Sequence, residues 1–167
     1  MLPDPALDPD DNGGLMVRRG VGPDGTDRLS INAPATNEST RDIIIEVKSL
    51  IDQDRVSPDD VMQLEIALAE VFNNIVEHAY ADRDDGRIEI TIEMLPPGMH
   101  FTIVDTGAEM PQGRLPVGHS ANPDLSAHEQ AEGGYGLHLI RLIAKKLRYN
   151  RVGDENQLTF RIALRAA

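Results

Sequence analysis

The sequence contains no cysteine among its 167 residues. This absence excludes disulfide bonds, thiolate catalysis and cysteine-ligated metal sites, and it fits a reducing compartment. The N-terminus also lacks the basic and then apolar pattern of a signal peptide, because residues 1–14 are acidic and rich in proline. No apolar run approaches the length of a membrane-spanning helix. We therefore expect a soluble, cytoplasmic protein.

Positive charge is scarce, with 16 Lys and Arg against 28 Asp and Glu, which gives a formal net charge of -12. The resulting field repels phosphate backbones and anionic lipids, so we expect no nucleic-acid partner and no membrane surface. A basic protein partner is favoured instead. The hydrophobic content of 40% is enough for one core and too little for two domains of this length.

The order of secondary-structure patterns predicts an α+β fold. Residues 1–27 are rich in Pro, Gly and Asp, and we expect a mobile acidic tail there, followed by one domain over residues 28–167. Alternation and helical spacing predict strands at 29–33, 87–94, 100–104, 148–152 and 158–164, and helices at 37–52, from Ser57 to residue 80, and at 136–147. This order predicts a two-layer α/β sandwich, with helices on one face of a largely antiparallel sheet.

The second predicted helix carries a polar pair at the edge of its apolar stripe. Glu70 and Asn74 are four residues apart, so their side chains lie one turn above the other. An amide oxygen can ligate Mg²⁺, a hard cation that also binds substrate phosphates, and a neighbouring carboxylate can accept a proton from an attacking hydroxyl. The alternative is an ordinary solvated flank, since charged residues are mostly exposed.

A carboxylate also follows the apolar strand at 101–104. Asp105 is expected to be desolvated there and to need a donor, which the exocyclic amine of adenine would supply. Gly107, two residues later, would let a base ring lie close to the backbone. The alternative is a turn capped by aspartate.

Residues 106–134 show no periodicity, and we expect a lid or binding loop there. The loop ends in Gly133 and Gly134, and Gly136 and Leu137 then open the third helix. Glycines before a helix let backbone N–H groups converge on a phosphate at the positive end of the helix dipole. A flexible hinge is the alternative.

These three motifs, in this order and separated by a lid, resemble the Bergerat-fold, histidine-kinase-like ATPases shared by gyrase, Hsp90, histidine kinases and MutL. Within that superfamily the chain resembles the anti-sigma-factor serine kinases in its stretches EVFNNIVEHAY and EGGYGLHLI, and in Ala33-Pro34-Ala35 after the opening strand. The resemblance covers about residues 28–165.

The resemblance implies a serine kinase that uses ATP and Mg²⁺. Such a kinase phosphorylates a serine on an anti-anti-sigma (STAS-type) partner, sequesters a sigma factor and forms a homodimer. By position, the resemblance implies these roles: Glu70 as general base, Asn74 as Mg²⁺ ligand, Asp105 and Gly107 at the adenine, Gly134, Gly136 and Leu137 at the phosphates, and Thr159 near the adenine.

Two departures from the family pattern favour a different reading. Glu109 stands where the superfamily often has a second glycine, and no Lys or Arg directly precedes Gly133, so a cation for the γ-phosphate would have to come from Arg114, from elsewhere on the lid or from a partner. The alternative function is therefore a binding module that sequesters proteins with weak or no catalysis. The ATPase half of a histidine kinase is less favoured, because no helical hairpin precedes Leu29.

Overall fold

The computed structural model describes residues 14–52, 54–81, 83–115 and 135–167, without the side chains of residues 135–138. Among these residues, no helix is long and apolar enough to cross a membrane. The strands are β1 (Met16–Val21), β2 (Asp27–Pro34), β3 (Arg87–Leu95), β4 (Gly98–Asp105), β5 (Lys145–Val152) and β6 (Glu155–Ala163). The helices are α1 (Asn37–Lys48), α2 (Pro58–Asn74), which continues as a π-helical turn (Ile75–Ala79), and α3 (Tyr135–Ile143).

The strands form one antiparallel sheet in the order β1-β2-β3-β4-β6-β5. Strict alternation along the central strands places one set of side chains against the helices and the other set on the opposite face. Phe101 and Phe160 stack within the core at a centroid distance of 4.9 Å. The predicted α+β sandwich is confirmed.

Helix α2 lies at the centre of the helical layer. Its apolar stripe is almost completely buried, and it packs against both α1 and α3. Residues of the stripe with a relative exposure of 2% or less are Leu64, Ala67, Leu68, Val71 and Phe72. The helix that carries Glu70 and Asn74 is therefore held rigidly against the sheet.

The start of α2 is held by an ion pair between buried Asp60 and the exposed side chain of Arg165. Ser57 occupies the N-cap position, but its side chain makes no capping hydrogen bond. Instead, the Asp60 carboxylate, only 2% exposed, accepts hydrogen bonds from the Arg165 backbone N–H at 2.6 Å and from the Arg165 guanidinium at 2.6 to 3.2 Å. These hydrogen bonds hold the pKa of Asp60 below its ordinary value of 3.8.

We expect Asp60→Asn to lower the free energy of unfolding at pH 7 by about 1.5–3 kcal/mol, the usual contribution of hydrogen bonds to a charged group. Because the folded-state pKa is lowered, ionised Asp60 stabilises the fold above its ordinary pKa, and this contribution is lost as pH falls through the folded-state value. Urea unfolding at several pH values measures both effects. Asp59→Asn, in the exposed first turn, is the matched control, and an equal loss in both variants would contradict the prediction.

The expected tail is wrong from Met16 onward, because β1 lies within it and pairs with β2 from Met16 opposite Asn32 to Val21 opposite Asp27. The sequence of β1 concealed this, since most of its side chains are exposed at the sheet edge and show no apolar alternation. Residues 1–13 lie outside the described part of the chain.

The boundary between α3 and β5 also differs from the prediction. The helix ends at Ile143, and β5 begins at Lys145 rather than at residue 148. Lys146 has a φ of +53°, and the register with β6 shifts between Lys145 and Arg148. Leu147 continues the helical spacing of the sequence, but it is a half-buried strand residue, so spacing alone placed the boundary too late.

Candidate functional site

Glu70 and Asn74 lie half-buried in the last turns of α2. The Asn74 side-chain N–H donates to the carbonyl oxygen of Glu70 at 2.6 Å, which fixes the orientation of the amide. The amide oxygen of Asn74 accepts no hydrogen bond from a described residue, and it is the atom type that a hard cation prefers. The residues present therefore fit a Mg²⁺ ligand at this position.

The pKa of the Glu70 carboxyl is raised from its ordinary value. Partial burial is the larger cause, and the nearby negative charge of Glu77 adds to it. A carboxylate whose pKa is raised binds a proton more readily, as a general base requires.

The π-helical turn after Asn74 brings α2 onto the turn that follows β4. The carbonyl oxygen of Ala79 accepts a hydrogen bond from the Ala108 N–H at 2.7 Å. The Tyr80 hydroxyl accepts from the Thr106 N–H at 2.8 Å and donates to the carbonyl oxygen of Arg87 at 2.9 Å. The end of the helical segment that carries Glu70 and Asn74 therefore contacts the turn that carries Asp105 and Gly107.

Glycine is required at position 107 by this contact. A Cβ atom there would lie 2.5 Å from the backbone oxygen of Ala79 and 2.6 Å from its Cβ. We expect Gly107→Ala to lower the free energy of unfolding by about 1–3 kcal/mol, because backbone must move to relieve the overlap. Gly20→Ala is the matched control, since nothing lies within 4 Å of its added Cβ. Chemical denaturation of both variants measures the difference, and equal stabilities would refute the close approach.

Asp105 ends β4 as a buried carboxyl, only 7% exposed. Its Oδ1 accepts from the Gly107 N–H at 2.9 Å and from the Asn156 side-chain N–H at 2.7 Å. Burial raises the pKa of Asp105, and these two hydrogen bonds and the charge of Arg151 oppose the rise. Its Oδ2 accepts no hydrogen bond from a described residue.

Side chains of the last hairpin complete the surroundings of Asp105. The Asn156 Oδ1 accepts from the Tyr149 hydroxyl at 2.6 Å and from the Arg151 guanidinium at 2.8 Å. Arg151 also donates to the carbonyl oxygen of Gly107 at 2.9 Å. The carboxyl is thus enclosed by a hydrogen-bonded network that the sequence analysis missed.

Thr159 does not belong to this network, and its placement near the adenine is corrected. Asn156, Leu158 and Phe160 face the core from β6, so Thr159 faces the opposite side, where it lies beside Thr102. Asn156 has the position opposite Asp105 in the sheet register. The alternation of Leu158 and Phe160 was a usable signal, because it places a polar residue at 156 on the core side.

The remaining predicted residues belong to the loop and to α3. Gly134 lies outside the described residues, and Gly136 and Leu137 are in the first turn of α3. Glu109 is exposed, and Arg114 donates to the Gln112 side chain at 2.7 Å. Arg114 also lines a cavity of about 570 Å³ at the edge of the sheet. The described residues that line this cavity are Arg114, Leu115, Leu147, Arg148, Tyr149, Asn150, Gln157 and Thr159.

The sequence profile of the Histidine kinase-like ATPase domain matches residues 33–162, which include every element from the end of β2 to the end of β6. The chain belongs to this family.

This ATPase domain is also similar to curated proteins. It is 25% identical over 119 residues to the serine-protein kinase RsbW of Bacillus licheniformis, covering 70% of this chain and 74% of the relative. It is 28% identical over 136 residues to the serine/threonine-protein kinase BtrW of Bordetella bronchiseptica, covering 80% and 91%. Among solved structures, the catalytic domain of histidine kinase ThkA aligns with a TM-score of 0.47 at 14% identity, covering 81% of this chain and 97% of that chain.

Proposed function

We propose that this protein is an ATP-dependent serine kinase that phosphorylates an anti-anti-sigma (STAS-type) partner and sequesters a sigma factor. The observation that carries the proposal is the docking of the Glu70 and Asn74 helix on the Asp105 turn, through Ala79 and Gly107. This contact supports a shared site, because it joins the helical segment that carries a candidate base and a candidate metal ligand to the turn that carries a buried carboxyl. Relatives named as serine-protein kinases support the same reading.

In this proposal Asp105 recognises adenine. Its Oδ2 is a buried acceptor with no described partner, and the exocyclic amine of adenine is a donor that suits it. Gly107 keeps the turn free of a side chain beside the base. The phosphates would extend toward the start of α3, where Gly136 and Leu137 lie in the first turn, and Gly134 precedes them in the sequence.

Phosphoryl transfer requires a base for the serine hydroxyl. Glu70 accepts the proton as the serine oxygen forms a bond to the γ-phosphorus, and the bond to the bridging oxygen breaks so that ADP leaves. Asn74 would hold Mg²⁺ through its amide oxygen, and the ion would supply positive charge to neutralise the phosphate oxygens. The raised pKa of Glu70 suits the role of proton acceptor.

The net charge of -12 supports a protein partner with a basic patch, as proposed for the sigma factor. We propose that the protein acts in the cytoplasm and forms a homodimer. Phosphorylation of the anti-anti-sigma partner would release the kinase, which then holds its sigma factor.

The first test is a titration of the purified protein with a fluorescent ATP analogue, with and without Mg²⁺, competed by ADP and GTP. We expect saturable binding that depends on Mg²⁺ and is displaced by ADP and not by GTP. Transfer of phosphate to a serine of a candidate STAS-type partner is then read by mass spectrometry. Absence of nucleotide binding would refute the proposal.

A second candidate function is sequestration without catalysis. Exposed Glu109 at the start of the loop favours it, and so does the contact of Arg114 with Gln112, because no described hydrogen bond or ion pair brings Arg114 to Glu70 or Asn74. Binding of a sigma factor with no phosphate transfer to any STAS-type partner would select this function over the kinase.

A further inference from the structure

The buried carboxyl of Asp105 has two oxygens with different surroundings. Oδ1 is occupied by the Gly107 N–H and the Asn156 side-chain N–H, at 2.9 and 2.7 Å. Oδ2 accepts no hydrogen bond from any residue that the structure describes, although the side chain is only 7% exposed. Since an ionised carboxylate only accepts, Oδ2 is an acceptor left for a donor from outside the chain.

Two donors on β5 fix the orientation of the Asn156 amide. The Tyr149 hydroxyl and the Arg151 guanidinium both point at Oδ1 of Asn156, at 2.6 and 2.8 Å. Rotating the amide by half a turn would set its N–H group against these two donors and its oxygen against the carboxylate oxygen of Asp105. Tyr149 and Arg151 therefore determine that Asn156 presents a donor to Asp105.

On the basis of the proposed function, we infer that Tyr149, Arg151 and Asn156 are positioning residues that set the preference for adenine over guanine. They keep the Asp105 carboxyl in its ionised form, which only accepts hydrogen bonds, and they leave its Oδ2 available to a donor on the base. None of the three touches the base in this assignment, and each acts through the carboxyl of Asp105.

The physical reason is the balance between burial and hydrogen bonding. Burial favours the neutral carboxyl, whereas the Asn156 N–H and the charge of Arg151 favour the ionised form. Among the described residues, Arg151 is the charged group that acts on this carboxyl. A neutral carboxyl would carry an O–H donor, which suits the carbonyl oxygen of guanine. Loss of the network should therefore weaken ATP binding and favour GTP relative to ATP.

The same side chains hold the start of the loop that follows Asp105. The Tyr149 hydroxyl accepts from the Met110 N–H at 3.1 Å, and the Asn156 N–H group lies 3.0 Å from the carbonyl oxygen of Ala108. Arg151 donates to the carbonyl oxygen of Gly107 at 2.9 Å. The carboxyl and the first residues of the loop are therefore held as one unit by the edge of the sheet.

The test measures ATP and GTP affinities of the full chain by competition against a fluorescent ATP analogue. Asn156→Asp replaces the donor with a second carboxylate, and Tyr149→Phe removes one hydroxyl with little change in shape. We expect the ratio of ATP to GTP affinity to fall about tenfold or more in Asn156→Asp, which loses a hydrogen bond to a charged group. The ratio should fall about threefold in Tyr149→Phe, which loses a weaker hydrogen bond between neutral groups.

Asn150→Asp is the matched control for the added carboxylate, because it changes an exposed asparagine on the opposite face of β5. It should keep the ratio of the parent protein, whatever its stability.

The outcomes separate this inference from the proposed function. A parent protein that binds neither nucleotide refutes the proposed function, and the inferred preference for adenine over guanine is refuted with it. A parent protein that prefers ATP, with variants that lose affinity for both nucleotides equally or for neither, refutes the inference alone. A ratio of ATP to GTP affinity that falls in Asn156→Asp and Tyr149→Phe and not in Asn150→Asp supports the inference.

Discussion

Replacing Glu70 with Gln is expected to lower the rate of serine phosphorylation by about 10²- to 10⁴-fold, the usual contribution of a positioned general base. The substitution keeps the size of the side chain and removes its ability to take a proton. Because Glu70 is placed at the attacking hydroxyl and not at the nucleotide, the affinity for ATP should change little. Single-turnover phosphate transfer to a STAS-type partner, with ATP affinity measured in parallel, gives both values.

The matched control for this prediction is Glu65→Gln on the same helix. Glu65 pairs with Lys48 of α1, on the outer side of α2, and has no place in the proposed chemistry. We expect it to transfer phosphate at nearly the parental rate. Full activity of Glu70→Gln would remove the base from its proposed role, and equal losses in both variants would point to a general effect on the helix.

Replacing Asp105 with Ala is expected to weaken ATP binding about tenfold to a hundredfold, because a hydrogen bond to a charged group contributes about 1.5–3 kcal/mol. GTP should bind poorly to the parent protein, since guanine presents a carbonyl where adenine presents an amine. Competition titration measures both. Equal affinities of the parent protein for ATP and GTP would contradict the assignment.

Asp105→Asn is the companion variant, because it retains the shape of the side chain and adds a donor. Its amide can donate to the carbonyl of guanine, so we expect the loss of ATP affinity to be accompanied by a smaller preference for ATP over GTP. Circular dichroism of both variants establishes that the fold is intact. A variant that binds ATP and GTP as the parent protein does would show that Asp105 does not contact the base.

The sequence predicted the fold well where side chains alternate between core and solvent. Strands β3 and β4 were predicted within two residues of their observed ends, because every second side chain is buried against α2. Strand β1 was missed because it pairs through its backbone at an exposed edge, and the end of α3 was misplaced because Leu147 satisfies both helical and strand spacing. Local spacing does not report backbone pairing or a positive φ.

The site was predictable only in part, for a related reason. Glu70, Asn74, Asp105 and Gly107 stand in motifs whose chemistry is local in sequence, and Ala79, five residues after Asn74, packs on Gly107. The network around Asp105 comes from β5 and β6, more than 40 residues away along the chain. Which of Asn156 and Thr159 faces the carboxyl depends on the strand register, and one residue of register reverses the answer.

The π-helical turn at Ile75–Ala79 makes this region sensitive to chain length as well as to residue type. A π turn accommodates one more residue than an α turn, so it rotates everything that follows relative to Asn74. Removing a single residue from these five would allow a regular helix while every proposed site residue was kept. Ala79 would then no longer pack on Gly107, so the helix that carries Glu70 and Asn74 would be displaced from the turn that carries Asp105. Insertions and deletions in this turn should therefore be tolerated far less than substitutions of its exposed residues.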